Sequence, residues 1–295
     1  MAESLLLNPK TKQRLEEFSR QPAPAILITG TAGSGKTTIA RQLASNLLDV
    51  DIAKLADYPY FIHLQKPDDK QEISIDAVRS VIREMRLKPV IKGAGQAKRA
   101  VMIEDAGSLS EEAQNALLKI IEEPDIDTVF ILTAEAESSI LPTVASRTQR
   151  LGVGPVSPDD AARYFGQSHQ PGAIESAWQL SQGSAGLMSA LLADSDEHPL
   201  KQAVEEAKSF LQKDRYQRAL YIDSLSSDKP GLNEFLNALS RVLAALHASA
   251  VKSGSRKQLK AISAARRQVN EAAESLSRNT SPRLIGLHLA LNLPI

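Results

Sequence analysis

One segment near the amino end constrains the fold more than any other feature of this chain. Residues 30–37 read GTAGSGKT, which has the spacing G-x-x-x-x-G-K-[ST] of a phosphate-binding loop. The apolar residues 25–29 before it predict a short buried strand, and residues 36–48 carry apolar side chains at helical spacing. The sequence therefore predicts a strand, a glycine-rich loop and a helix in succession, which is typical of parallel α/β folds.

The residues of this loop match the chemistry of a bound triphosphate. Glycines allow backbone N–H groups to approach phosphate oxygens closely, and the amino end of a helix favours an anion. We expect Lys36 to reach the β- and γ-phosphates of a nucleoside triphosphate and the Thr37 hydroxyl to ligate Mg²⁺. The alternative is a flexible Gly-Ser turn that binds no ligand. The predicted nucleotide-binding residues are Gly30, Thr31, Ala32, Gly33, Ser34, Gly35, Lys36, Thr37 and Thr38.

Strand and helix patterns alternate through the rest of the first half. This alternation predicts an α/β fold in which helices cover both faces of a parallel sheet. The strand-like runs are at residues 60–64, 100–103 and 129–132, and the helical patterns between them are at 75–87 and 111–123.

The second half of the chain has a different character. After Arg150 the character changes, and residues 152–158, rich in Gly and Pro, indicate a hinge-like linker. Strand signals then disappear, and only helical patterns follow. We therefore predict three domains, namely an α/β nucleotide-binding domain at 1–152, a small helical domain at 153–198 and a helical carboxyl-terminal domain at 199–295.

Within the last domain one helical face is strongly apolar, and it predicts either core or a subunit interface. The apolar face consists of Leu232, Phe235, Leu236, Leu239, Val242, Leu243 and Leu246.

Loops in this domain are predicted at residues 226–231, 253–255 and 279–282.

Composition excludes several classes of protein. The 35 basic and 35 acidic residues cancel, so the net charge argues neither for nor against a polyanionic partner. The chain has no cysteine, which excludes disulfides and thiolate metal sites. No apolar run approaches the length of a membrane span, and residues 1–18 lack the pattern of a signal peptide. We expect a soluble, cytoplasmic protein with no membrane partner.

An acidic pair, Glu104-Asp105, follows the strand-like run at 100–103. In parallel-sheet nucleotide enzymes an acid at the carboxyl end of a neighbouring strand meets the metal and the attacking water. We expect the Glu104 carboxylate to lie in the Mg²⁺ shell and the Asp105 carboxylate to polarise the attacking water. The usual order is Asp then Glu, so the shorter Asp105 predicts slow or absent hydrolysis. The alternative is a solvated acidic pair at the end of a strand.

Three further segments carry a resemblance to a known family. AQNALLKIIEEP at 113–124 resembles the A-x-N-A-L-L-K-x-L-E-E-P segment of clamp-loader ATPases. LPTVASRTQ at 141–149 is similar to their L-P-T-I-x-S-R-C-Q segment, and ISIDAVR at 73–79 resembles their I-x-I-D-x-I-R run. With the phosphate loop, these segments cover most of residues 25–151 in the expected order. The chain resembles the clamp-loader ATPases of bacterial DNA polymerase III, which are AAA+ proteins.

This resemblance implies an architecture and a set of partners. It implies an AAA+ P-loop domain, a small helical lid and an all-α collar that oligomerises, which agrees with the three predicted domains. It also implies a hetero-oligomer with other clamp-loader subunits that opens a sliding clamp and closes it on primed DNA.

The resemblance also assigns roles to two residues outside the loop. Arg147 stands where the family has an arginine finger that reaches the ATP site of a neighbouring subunit; the alternative is a salt-bridged surface arginine. Thr133 stands in the place of the sensor that orients the attacking water; alternatively, it is a strand-terminal threonine whose hydroxyl bonds to backbone.

The chain departs from the family pattern at several positions. Thr148 replaces the usual Cys, which should leave Arg147 usable, and the zinc-binding cysteines are missing, so no zinc module is expected. The inverted acidic pair and the absence of the lid arginine from residues 183–187 favour a subunit that assists rather than drives, with weak hydrolysis of its own. The intact Lys36 and Thr37 favour ATP binding. Two alternatives remain, a nucleotide-independent scaffold of the same complex and an unrelated P-loop ATPase or kinase.

Overall fold

The computed structural model of the chain describes residues 5–67, 69–85, 95–124, 127–193, 198–225, 229–278 and 280–294. It divides into two compact units, Met1–Val156 and Ser157–Ile295. The strands of the first unit are β1 (Ala25–Thr29), β2 (Phe61–Leu64), β3 (Arg99–Ile103), β4 (Thr128–Ala134) and β5 (Gln149–Gly152). Its α-helices are α1 (Pro9–Arg20), α2 (Lys36–Leu48), α3 (Ile75–Met85), α4 (Glu111–Glu122) and α5 (Pro142–Ala145). Short 3-10 helices span Ile52–Asp57, Ala106–Ser108 and Glu137–Ser139.

The described strands form one sheet in the order β2-β3-β4-β1-β5, and every neighbouring pair is parallel. The predicted α/β fold with a parallel sheet is therefore confirmed. Strands β1 to β4 lie within two residues of the predicted runs, and α2 has the predicted bounds. The predicted helix at 75–87 is observed up to Met85, and residues 86–87 lie outside the described residues.

Two apolar clusters cover the two faces of the sheet. Ile26 and Ile28 of β1 lie in the cluster that includes Ile39 and Leu43 of α2. Leu27, which points the opposite way, lies in the cluster with side chains of α3 and α4. Because both faces are buried, the central strands are apolar at nearly every position.

Two elements of the first unit differ from the sequence prediction. Strand β5 was not predicted, and its last residue, Gly152, is also the first residue of the predicted linker. Leu151 is the single buried residue of β5, and among the described strands β5 pairs with β1 alone, so the sequence shows no apolar run there. Helix α1 was also not predicted, although Asn8 accepts a hydrogen bond from Lys10 N as an N-cap and Pro9 opens the helix.

The described part of the second unit is entirely helical. Three helices precede residue 198 and five follow it, in agreement with the predicted helical patterns. They are α6 (Pro158–Phe165), α7 (Pro171–Ser181), α8 (Ala185–Leu192), α9 (Pro199–Gln212), α10 (Arg215–Leu225), α11 (Lys229–Ser253), α12 (Arg256–Ser277) and α13 (Pro282–Asn292). No described helix is both long and apolar enough to cross a membrane. The division of residues 153–295 into two domains stays a prediction.

The predicted apolar face lies on α11 and forms the core of this unit. Six of its seven side chains are buried, whereas Leu246 is 41% exposed. The predicted loop at 226–231 is wrong for residues 229–231, because α11 already begins at Lys229. Residues 226–228 and 279 of the predicted loops lie outside the described residues.

Candidate functional site

The phosphate-binding loop connects the buried strand β1 to α2. Gly33 and Gly35 have φ values of 78° and 90°, a left-handed conformation that side-chain-bearing residues rarely adopt. A Cβ on Gly30 would lie 2.7 Å from Ser34 Oγ, so the loop closes tightly at this point. Gly35, the residue before α2, has no side chain to cap the helix. The first N–H groups of α2 therefore remain available to an anion.

Ser34 provides an independent sign that the loop fits a ligand. Its side chain is buried, and its Oγ has no hydrogen-bond partner among the described residues. Buried hydroxyl groups in folded proteins are nearly always hydrogen-bonded. A phosphate oxygen in the loop would supply such a partner. Thr31 and Ala32 complete the loop, and Thr38 lies in the first turn of α2.

The Lys36 ammonium group folds back onto the loop. Its Nζ donates to the carbonyl oxygens of Gly30 at 2.6 Å and Thr31 at 3.0 Å. Burial lowers the pKa of Lys36, and the carboxylates of Glu135, Asp105 and Glu104 oppose that shift. Sequence reasoning missed Glu135. Its signal was available, since Glu135 directly follows β4 as Glu104 directly follows β3.

Glu104 joins the loop to the acidic end of β3. The Thr37 hydroxyl donates to Glu104 Oε1 at 2.7 Å, and Glu104 Oε2 lies 3.0 Å from His63 Nε2. The hydrogen bond from His63 is the main reason why the pKa of Glu104 is lowered, and the bond from Thr37 adds to it. The structure thus brings together Thr37 and Glu104, the two residues predicted to hold Mg²⁺, and adds His63, which the sequence did not indicate.

Asp105 and Thr133 meet beside this group. Asp105 has a left-handed backbone with φ of 50°, and its N–H donates to Thr133 Oγ1 at 3.0 Å. The Asp105 carboxylate accepts a hydrogen bond from the Ser108 hydroxyl. Thr133 is buried within β4, and its hydroxyl accepts this backbone hydrogen bond. Its role as a sensor stays a prediction.

The residues around the loop suit a magnesium nucleotide. Mg²⁺ prefers oxygen ligands and is usually held by one or two protein oxygens together with phosphates and water. Because the Thr37 hydroxyl donates a hydrogen bond to Glu104, its oxygen lone pairs are available to a metal. Among the described residues, no group of three or more His, Cys, Asp or Glu forms a separate metal cluster. The donor set therefore fits Mg²⁺ bound with ATP and does not resemble a metal cage made by protein alone.

Arg147 lies at the amino ends of the parallel strands, opposite the end that carries the phosphate loop. The phosphate loop follows the last residue of β1, whereas Arg147 precedes Gln149, which begins β5 opposite Ile26. Ile26 lies three residues before Thr29, the end of β1, so the start of β5 is about 10 Å from the loop end of β1, measured along the strands. The Arg147 guanidinium, 39% exposed, forms an ion pair with Glu122 and donates to Thr143 O at 2.9 Å. Arg147 is therefore not brought into the loop of its own chain.

Comparison with known protein families shows which family this chain belongs to. The model described as DNA polymerase III, delta subunit, matches residues 8–157, just over half of the 295 residues. The chain belongs to this family. The matched region contains the phosphate loop, the acidic end of β3 and Arg147.

Curated relatives of this delta-subunit-family chain are replication proteins. The DNA polymerase III subunit delta' of Pseudomonas aeruginosa is 30% identical over 141 residues, which are 43% of this chain and 42% of that protein. The replication factor C small subunit of Aeropyrum pernix is 28% identical over 182 residues, 58% of this chain and 52% of that protein. The chain thus spans about half the length of the curated relatives it matches.

A solved structure extends the comparison to the fold. The DNA polymerase III gamma subunit-related protein of Thermotoga maritima superposes with a TM-score of 0.55 over 97% of this chain and 99% of that chain, at 14% identity. The parallel sheet with its phosphate loop, followed by a helical portion, is the AAA+ fold that the sequence predicted.

Proposed function

We propose that this chain is the delta prime subunit of a bacterial DNA polymerase III clamp loader. In this proposal it binds ATP and supplies an arginine finger to a neighbouring subunit, and the complex loads the sliding clamp onto primed DNA. Its direct partners are the other clamp-loader subunits. Family membership and the relative from Pseudomonas aeruginosa support the assignment to DNA polymerase III.

One observation carries the proposal. The phosphate loop lies at the carboxyl ends of the parallel strands, whereas Arg147 lies at their amino ends. From that position Arg147 is kept apart from the loop of its own chain, and in the proposal it serves a nucleotide held by another chain. A guanidinium is always charged and can stabilise a transferring phosphoryl group from outside its pocket. The ion pair with Glu122 does not prevent this role, because exposed pairs contribute only about 0–1 kcal/mol and exchange readily.

The proposed roles of the residues at the loop follow from their contacts. Lys36 and the N–H groups of the loop hold the phosphates, while Thr37 and Glu104 hold the metal. When bound, magnesium neutralises phosphate charge and polarises the terminal phosphoryl group. Asp105 stands in the place of the catalytic acid, and Thr133 fixes it through the Asp105 N–H. Because Asp105 is one methylene shorter than Glu, we expect the chain's own hydrolysis to be weak.

Equilibrium binding of fluorescently labelled ATP to the purified chain tests the proposal. We expect saturable binding in Mg²⁺ and a loss of about a hundredfold in affinity for Lys36→Ala, since a charge-assisted phosphate contact contributes about 3 kcal/mol. Lys54→Ala, which removes an exposed lysine of the same unit, is the matched control and should bind normally. A wild-type chain that binds no labelled ATP would contradict the nucleotide-binding role.

A nucleotide-independent scaffold of the same complex is the second candidate. The observation in its favour is that Lys36 already donates to two carbonyl oxygens of the loop, so phosphate must displace these bonds. The same binding measurement separates the two candidates. An unrelated P-loop kinase is a weaker alternative, and it should not co-purify with polymerase accessory subunits.

A further inference from the structure

His63 occupies a position that no sequence motif predicts. It lies on β2, its Nε2 is 3.0 Å from Glu104 Oε2, and its side chain is 22% exposed. The imidazole stacks on Phe61 with ring centroids 6.1 Å apart and an interplanar angle of 28°. Phe61 itself is buried in the cluster beneath α2, so the ring of His63 rests on a fixed surface.

Strand pairing explains why His63 meets Glu104. His63 is paired with Met102 in the parallel register, and Glu104 N donates to Leu64 O at 2.8 Å just beyond the strand. Side chains alternate along a strand, so His63, Met102 and Glu104 point to the same face of the sheet. Helix α2 covers this face, which places Thr37 next to the same carboxylate.

The two oxygens of Glu104 have different partners. Oε1 accepts the hydrogen bond from Thr37, and Oε2 is bonded to His63. A carboxylate held at one oxygen can rotate about its terminal torsion, whereas one held at both oxygens keeps a single orientation. The lowered pKa of Glu104, caused first by the His63 bond, agrees with a carboxylate that stays ionised in this place.

We propose that His63 is a positioning residue that orients Glu104 toward the magnesium site at Thr37. The inference rests on the proposed nucleotide binding and adds a specific residue to it. His63 acts through Glu104 rather than as a metal ligand, because Nε2 is engaged by the carboxylate and Mg²⁺ prefers oxygen over imidazole. Loss of an outer hydrogen-bond partner of a metal ligand typically weakens metal affinity 10- to 100-fold.

The experiment uses the full chain and two substitutions with opposite expectations. His63→Phe keeps an aromatic ring to stack on Phe61 but cannot hydrogen-bond to Glu104, whereas His63→Gln offers an amide N–H in place of the imidazole. Binding of labelled ATP is measured against Mg²⁺ concentration and again in EDTA. We expect His63→Phe to need about tenfold more Mg²⁺ for half-saturation. His63→Gln should restore part of the difference.

Two controls separate a positioning role from a general structural one. Affinity in EDTA and the thermal unfolding midpoint should be the same in His63→Phe and the wild type, since the phosphate loop is intact. His247→Ala, on α11 in the other compact unit, should leave the Mg²⁺ requirement unchanged.

Each remaining outcome overturns the inference. An unchanged Mg²⁺ requirement in His63→Phe would show that Glu104 is positioned without His63. An equal loss of affinity with and without Mg²⁺ would show that His63 only supports the fold. In both cases the proposed function stands, because the wild type still binds nucleotide. A wild-type chain that binds no nucleotide at any Mg²⁺ concentration would overturn both.

Discussion

The hydroxyl of Thr37 is the atom at which the phosphate loop meets the acidic end of β3. It lies in the first turn of α2 and donates to Glu104 at 2.7 Å, which leaves its lone pairs directed elsewhere. At the scale of a single residue, one hydroxyl group thus connects the predicted anion site to the predicted metal site.

Substitutions of Thr37 test this connection. Thr37→Ala removes the hydroxyl, so we expect the Mg²⁺ concentration needed for half-saturation of ATP binding to rise by about tenfold or more. Thr37→Ser keeps the hydroxyl and should bind almost normally. The measurement is a Mg²⁺ titration of labelled-ATP binding. Equal Mg²⁺ requirements in the Ala and Ser variants would argue against a metal-ligating hydroxyl.

The sequence could predict part of this site because the loop motif carries its own geometry. Lys36 and Thr37 are fixed by spacing along one strand–loop–helix unit, and Glu104 follows a recognisable apolar run. His63 could not be predicted, because its partner is 41 residues away and only the register of β2 and β3 brings the two together. Thr133 illustrates the same limit, since its partner Asp105 is 28 residues away.

At the scale of elements, Arg218 of α10 shows how a buried cation joins helix ends. Its guanidinium donates to the carbonyls of Phe210 and Leu211 in the last turn of α9, at 3.1 and 2.8 Å. It also lies 3.5 Å from the carbonyl of Leu293, which follows α13. The last carbonyls of a helix lack partners within the helix and carry partial negative charge, so a cation there is stabilising. Burial lowers the pKa of Arg218.

We expect Arg218→Met to destabilise the second unit by about 3 kcal/mol, because buried carbonyls lose their donor. Arg215→Met is the matched control, since Arg215 lies one turn earlier on α10 and is exposed. The single tryptophan, Trp178, lies on α7 in this unit, so its fluorescence during urea unfolding reports the transition. Equal midpoints for the two variants would contradict the role assigned to Arg218.

Elements differed in how well the sequence predicted them. The central strands are apolar on both faces, so β1, β3 and β4 produce strong runs. The edge strand β5 contributes only Leu151 to the core, and its other residues are exposed, so no run marks it. The sequence predicted the second unit as helical, because apolar side chains repeat along one face of its long helices, but it missed the start of α11 at Lys229.

At the scale of the whole molecule, the first unit places the candidate nucleotide site and Arg147 at opposite ends of the strands of one sheet. The loop, Glu104 and Asp105 lie at the carboxyl ends of the strands, and Arg147 lies beside Glu122 at the amino ends. In the proposed function, the chain binds a nucleotide at the carboxyl ends of the strands and acts on a neighbour's nucleotide from their amino ends. The proposal that Arg147 acts on a neighbouring subunit depends on this separation.

The ATPase rate of the assembled complex that carries Arg147→Ala in this chain tests that claim most directly. Removing one finger should lower turnover about 10³-fold or more at the site it serves, while this chain's own affinity for labelled ATP stays at the wild-type value. Arg150→Ala, which removes an exposed arginine three residues away, is the control and should leave turnover unchanged. Wild-type turnover with Arg147→Ala, or weaker ATP binding by the isolated variant, would contradict a role in trans.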